Sequence, residues 1–286
     1  MKYALFTGCV AKGAARELLT STYAIAEKLG ITLVELKNVS CCGAGVISEE
    51  NPELADTLNA RTFAIAEEMG LDIVNICGTC QGIMKKAQAS LHNDENRLKK
   101  INATLKEGGH EYKGTVKIKH IVNILVEEYG LEKLTGKVSS PLNGLKVAPF
   151  YGCYLLRPSE YSDFKDADNP EYIEKITTAL GGTPVDYEGK LKCCGFPYLM
   201  MKKKESLTMA GHRVESAKEA GADCMATPCP LCHLSLDPYQ PESEQYLKKT
   251  LDMPVLHIPQ LIGLALGIPR KELGLDKHIV DASKIS

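Results

Sequence analysis

The chain has 286 residues, 44% of them hydrophobic and 24% charged, with a formal net charge of −2. A chain of that length buries an adequate core without staples, so stability does not explain its eleven cysteines, and an odd count argues against a full set of disulfides. The charges are mixed along the chain and give no reason to expect a nucleic-acid partner.

In chain order, one lysine and a short apolar run precede Cys9, too little for a secretory signal. KYALFTGC (2–9) reads as a buried strand ending in cysteine, and AARELLTSTYAIAEKLG (14–30) as a helix. ITLVELK (31–37) is a second strand, CCG at 41–43 a loop, and PELADTLNARTFAIAEEMG (52–70) a helix leading to the strand LDIVNIC (71–77). Ser, Pro, Asn and Gly in VSSPLNGLK (138–146) read as a linker, which predicts two domains, 1–140 and 141–286. The order then recurs. KVAPFYGC (146–153) is a strand, and NPEYIEKITTALGG (169–182) a helix capped by Asn169 with Pro170 in its first turn. TPVDYE (183–188) is a strand, KESLTMAGHRVESAKEAG (204–221) a helix and ADCMATPC (222–229) a strand. The most apolar later stretch, 255–269, contains His257, Gln260 and two prolines and is shorter than the ~20 residues of a membrane span. These features predict a soluble cytoplasmic protein with no membrane insertion. In a reducing compartment, regularly spaced cysteines suggest metal binding or catalysis.

Strands alternating with helices predict an α/β fold: two tandem, similar Rossmann-like units with mostly parallel sheets. Ligand sites in such sheets lie beyond the carboxyl ends of the strands, where these cysteines fall. Their spacing is written twice. Cys9 is followed by 31 residues, Cys41-Cys42, 34 residues, and Cys77 and Cys80 in a CxxC. Cys153 is followed by 39 residues, Cys193-Cys194, 34 residues, and Cys229 and Cys232 in another CxxC. LFTGC (5–9) matches PFYGC (149–153), CCGAG matches CCGFP, and His120 and His257 fall in register in the tails of the two copies.

Each copy thus brings five thiols to one edge. Ten small core residues in two matching registers would be an unusual coincidence. A redox pair needs only two cysteines per site, and a structural zinc site or an ordinary cubane cluster needs four. Five favour an iron–sulfur centre with an unusual ligand set, or a cubane with one thiol held back as a reactant.

The duplicated Cys, CysCysGly, CysxxCys pattern resembles that of the CCG-domain family, and nearly the whole chain is similar to the B subunits of the heterodisulfide reductases of methanogenic archaea. The resemblance implies a noncubane 4Fe-4S cluster in each copy. Cys9, Cys41, Cys42, Cys77 and Cys80 would hold one, and Cys153, Cys193, Cys194, Cys229 and Cys232 the other. It implies reduction of the coenzyme M–coenzyme B mixed disulfide, a small-molecule substrate of methanogenesis, between the clusters. It further implies electrons from the reductase's C subunit, which carries cubane clusters, and from its flavoprotein, the A subunit, with a hydrogenase or formate dehydrogenase module upstream. The chain has no Gly-rich dinucleotide fingerprint, so it should bind neither flavin nor nicotinamide itself. Related CCG domains occur in lactate, glycolate and succinate oxidising systems. The alternative is therefore an electron-transfer subunit of a flavin-dependent dehydrogenase.

Weaker signals flank the cysteines. The second copy's extra loop, 154–168, lies at the cluster edge and should shape a substrate pocket. Arg157, Lys202 and Lys203, with Lys204, could attract an anionic substrate. His120 and His257 read as core or capping histidines. Cys224, which stands near the place of Ile73 or Val74 in the first copy, reads as a small buried residue.

Overall fold

The apolar runs that precede Cys9 and Cys153 form inner strands of two parallel sheets in the computed structural model, which describes residues 1–285. The first half runs β1 (Lys2–Phe6), α1 (Gly8–Lys12), α2 (Arg16–Leu29), β2 (Thr32–Glu35), α3 (Val46–Glu50), α4 (Pro52–Glu68) and β3 (Ile73–Asn75). It continues with α5 (Gly78–Asn93), α6 (Glu95–Glu107), β4 (Ile118–His120), α7 (Ile121–Asn123), a π-helical stretch (Ile124–Gly130) and α8 (Leu131–Thr135). The second half has β5 (Lys146–Pro149), α9 (Tyr172–Ala179), β6 (Thr183–Pro184), α10 (Lys203–Glu219) and β7 (Cys224–Thr227). It closes with α11 (Pro230–Leu236), α12 (Gln240–Leu247), β8 (Val255–His257) and α13 (Ile258–Ala265).

Each sheet has four strands, in the orders β2-β1-β3-β4 and β6-β5-β7-β8, and every pairing is parallel. β3 and β7 are buried along their whole length, as parallel strands covered by helices on both faces must be. This is the tandem Rossmann-like α/β architecture that the alternating pattern predicts. Among the described residues no helix is long and apolar enough to cross a membrane.

The differences lie at element ends. β4 and β8 are additional strands, hidden in sequence because each is only three residues long, ends in histidine and runs straight into a helix. The expected strand 183–188 narrows to the residues of β6. α9 starts at Tyr172 with Glu171 at its cap, not at Asn169. The Asp166 side chain accepts hydrogen bonds from the backbone N–H groups of Asp168 (2.9 Å) and Asn169 (3.0 Å), which keeps Asn169 inside a turn.

The halves interlock. α13, near the end of the chain, packs on α2 of the first half, while the π-helical stretch and α8 of the first half pack on α9 of the second. Leu18 and Ile25 of α2 share one apolar cluster with Leu261 and Ile262 of α13. Tyr172 donates to Glu127 across the other contact (2.6 Å). Leu261 is fully buried, so Leu261→Ala should lower stability by about 2–5 kcal/mol, measurable as a fall in the urea midpoint with the slope unchanged.

Candidate metal centres

Each pattern cysteine is carried past the carboxyl end of a strand. Cys9 follows β1, Cys41 and Cys42 follow β2, and Cys77 caps α5, whose first turn carries Cys80. In the second half Cys153 follows β5, Cys193 and Cys194 follow β6, and Cys229 caps α11, which carries Cys232. The chain enters the first thiol of each set through a glycine in the left-handed region, Gly8 at φ +70° and Gly152 at φ +73°. A Cβ there would stand 3.3 Å from Cys80 Sγ and 2.8 Å from Cys232 Sγ. Both positions need glycine for its backbone freedom and for the room it leaves a sulfur.

The sulfurs are strung in one order in both halves. In the first, Cys9 Sγ is 3.8 Å from Cys41 Sγ, Cys41 hydrogen-bonds Cys42, Cys42 Sγ lies 3.4 Å from Cys80 Sγ, and Cys80 meets Cys77. In the second, the series is Cys153, Cys193, Cys194, Cys232 and Cys229. None of the eleven cysteines is in a disulfide. Two thiolates on one tetrahedral metal with bonds of about 2.3 Å stand about 3.8 Å apart, close to the separations found here. Crowding drives neighbouring thiols apart in acidity. Hydrogen bonds from Cys41 and Cys80 pull Cys42 down to about 4, and those from Cys153 and Cys194 pull Cys193 down to about 2. Cys41 and Cys153 are pushed up by the thiols they bond and by burial. A cation shared by each set is the means of ionising all its sulfurs together. Five sulfur donors with a glycine cradle suit a multinuclear soft-metal centre and exceed the four ligands of a zinc ion.

The two sets meet. Cys77 Sγ of one lies 3.9 Å from Cys229 Sγ of the other, and Thr79 Oγ1 is 3.3 Å from Cys229 Sγ. A narrow cavity of about 20 Å³ beside this junction is lined by Thr79, Tyr154, Leu155, Cys153, Cys229 and Cys232, among others. It has room for about one water. Tyr154 is half-buried, and burial together with Cys153, Glu49, Cys193 and Cys42 raises the pKa of its phenol.

A family model described as "CCG: Cysteine-rich domain" matches twice, at residues 3–85 and 147–237, and each match spans one five-cysteine set. The chain belongs to the CCG family.

Among relatives of this CCG protein, an "8-methylmenaquinol:fumarate reductase membrane anchor subunit" of Wolinella succinogenes is 40% identical over 99% of both chains. The B subunit of the "Ferredoxin/F(420)H(2)-dependent CoB-CoM heterodisulfide reductase" of Methanosarcina acetivorans is 36% identical over 98% of this chain and 94% of its own. A solved structure described as a hypothetical protein from Helicobacter pylori shares the fold, with a TM-score of 0.78 at 18% identity. It covers 99% of this chain, which spans 52% of its length.

The loop 154–168 of the CCG protein is folded inward. Asp163 accepts from Gln81 Nε2 (2.7 Å) and pairs with Lys85 (2.8 Å) on α5, and the Tyr154 carbonyl lies where a Cβ on Gly82 would be. Thus the second half is held against the helix that carries Cys80. Arg157 pairs with Asp168, and Lys203 pairs with Glu242 on α12 (2.6 Å); Lys202 and Lys204 are exposed at the start of α10. None of these cations lines the cavity at the thiol junction. Cys224 is fully buried in β7, and burial pushes its thiol up to about 12. Counting back from each CxxC, in agreement with the strand register, puts Asp72, rather than Ile73 or Val74, at its position in the first half.

His120 and His257 are both fully buried helix caps and both reach into the opposite half. His120 accepts the Val122 N–H at Nδ1 (3.2 Å) and donates from Nε2 to the carbonyl of Pro228 (3.0 Å), the residue before Cys229. The Gly78 N–H donates to the same carbonyl (3.2 Å). Thr79 and Pro228 were not identifiable from sequence as members of the site, since only folding brings the two CxxC loops together. His120→Ala removes one of two donors to Pro228, and we expect a loss of about 1–3 kcal/mol, read by chemical denaturation.

Proposed function

We propose that this chain is the disulfide-reducing component of a heterodisulfide reductase-type complex and acts on the mixed disulfide of coenzyme M and coenzyme B. In this reading Cys9, Cys41, Cys42, Cys77 and Cys80 hold one noncubane 4Fe-4S cluster, and Cys153, Cys193, Cys194, Cys229 and Cys232 a second, in domains 1–140 and 141–286. Such clusters supply electrons singly. The observation that carries the proposal is the 3.9 Å approach of Cys77 to Cys229. Cleaving a disulfide takes two electrons and two protons and yields two thiols, so two one-electron centres must serve one point. A relay has no need to bring its centres together so closely. Tyr154, Leu155 and Thr79 line the small cavity at this junction, which would have to open for the disulfide to enter. The electrons would come from a cubane iron–sulfur protein and a flavoprotein of the same complex, as in the reductase.

A second reading, an iron–sulfur electron-transfer subunit of a fumarate reductase or flavin-dependent dehydrogenase, is favoured by the name of the Wolinella succinogenes relative at 40% identity. Reduction of the mixed disulfide by purified, cluster-loaded protein with reduced viologen as donor separates the two. Turnover is expected under the first reading. Intact clusters without turnover would replace it with the second. About eight irons per chain are expected in either case. Gly152→Ala, which crowds Cys232, should lower iron and acid-labile sulfide by about half, since only one of two cysteine sets is disturbed.

A further inference from the structure

The two CxxC loops that meet at the thiol junction are unlike. The first reads CGTC (77–80) and the second CPLC (229–232), so Gly78 stands where the other copy has Pro230, and Thr79 where it has Leu231. A Cβ on Gly78 would lie 3.3 Å from Leu155 Cβ and 3.5 Å from Cys229 Cβ, and glycine keeps that approach uncrowded. The Gly78 N–H donates to the Pro228 carbonyl (3.2 Å), whereas Pro230 has no N–H with which to return the bond. Across the junction the first loop donates and the second accepts.

The Thr79 side chain follows the same direction. It is buried, its Oγ1 is 3.3 Å from Cys229 Sγ, and among the described residues that sulfur is the only hydrogen-bond partner of the hydroxyl. A metal-bound thiolate has no proton to give, so once the second set holds metal the hydroxyl is the donor. The backbone donors to the two sets match pairwise. Gly43, Ala44 and Cys80 serve Cys41, Cys42 and Cys77, and Gly195, Phe196 and Cys232 serve Cys193, Cys194 and Cys229. Among the described residues no hydroxyl reaches Cys77, because its counterpart donor would be Leu231. Thr79 is the unmatched donor, and it belongs to the opposite half from the sulfur it serves.

We propose that Thr79 is a positioning residue that raises the reduction potential of the second-half centre through its hydrogen bond to Cys229. The proposal rests on the iron–sulfur part of the function proposed above and not on the substrate. Uptake of one electron adds one negative charge to a thiolate-bound centre and breaks no bond to the protein. A hydrogen bond to a ligating sulfur stabilises that more negative state, and hydrogen bonds to charged groups are the stronger ones. The first set is instead open to solvent at Cys9 and Cys41, so the two centres are tuned by different donors. Docking of one half on the other thus sets the electron affinity of a centre in its partner half.

The test is a redox titration of the full-length, cluster-loaded chain, followed by electron paramagnetic resonance. The signal depleted in Gly152→Ala identifies the second-half centre. Thr79→Val, which keeps the shape and removes the hydroxyl, should make that centre about ten-fold harder to reduce, a fall of about 59 mV for one electron. The first-half centre should stay unchanged, and Thr79→Ser should restore the original value. No shift, an equal shift of both centres, or a shift that Thr79→Ser does not rescue would overturn the assignment. If Thr79→Val does not load its clusters, pulsed resonance of the unmodified chain before and after exchange into deuterium oxide decides. The second-half centre should then couple to one more exchangeable proton on the protein than the backbone donors supply, and its absence would overturn the role of Thr79. Turnover of the mixed disulfide enters neither readout, so loss of that activity reading and loss of this assignment are told apart.

Discussion

Cys77 and Cys229 stand at a single point where two chain segments separated by half the sequence converge, and their 3.9 Å separation constrains much of the surrounding structure. Two thiolates at that distance repel by about 4 kcal/mol at an effective dielectric of about 20. Each also sits in a set of crowded sulfurs that cannot ionise together without a cation. The protein spends hydrogen bonds on holding the point closed. His120 and the Gly78 N–H both donate to the Pro228 carbonyl, which fixes the second CxxC loop from the first half.

The rest of the fold secures that convergence. A parallel sheet delivers the ends of three strands to one edge, so one small α/β unit can collect five thiols from three separate loops. Two such units face one another because each lends its last helical segment to the other. α13 lies on α2, and the π-helical stretch lies on α9. Apolar clusters that mix residues of both halves stabilise the molecule as a unit. Widening the gap between the thiol sets would therefore expose core.

The loop 154–168 breaks the pseudo-symmetry and acts at the same junction. It buries Leu155, Leu156 and Phe164, anchors Asp163 on α5, and puts Tyr154 beside the sulfurs. Its charged members Arg157 and Asp168 neutralise each other at the surface. The half without this loop supplies α5 as the platform, and the half with it supplies the cover. The two cap histidines make a second asymmetry: His120 reaches the opposite CxxC loop, whereas its repeat partner His257 meets Glu17 and His233.

Spacing alone was enough to read the duplication, the α/β alternation and the grouping of cysteines at strand ends, because each depends on local periodicity or on where a strand must stop. Short strands such as β4 and β8 escaped, since three residues before a helix are too few to carry a distinct period. The cap of α9 was misread because the Asp166 side chain competes for the backbone of Asn169. Asp72 as the counterpart of Cys224 needed the strand register. By itself the sequence determined which residues form each thiol set. Only the tertiary structure decided that the sets touch, that His120 and Gly78 bind Pro228, and that Glu17 meets His233 and His257. Those contacts join residues up to 240 positions apart, and no periodic signal along the chain encodes the docking of one half on the other.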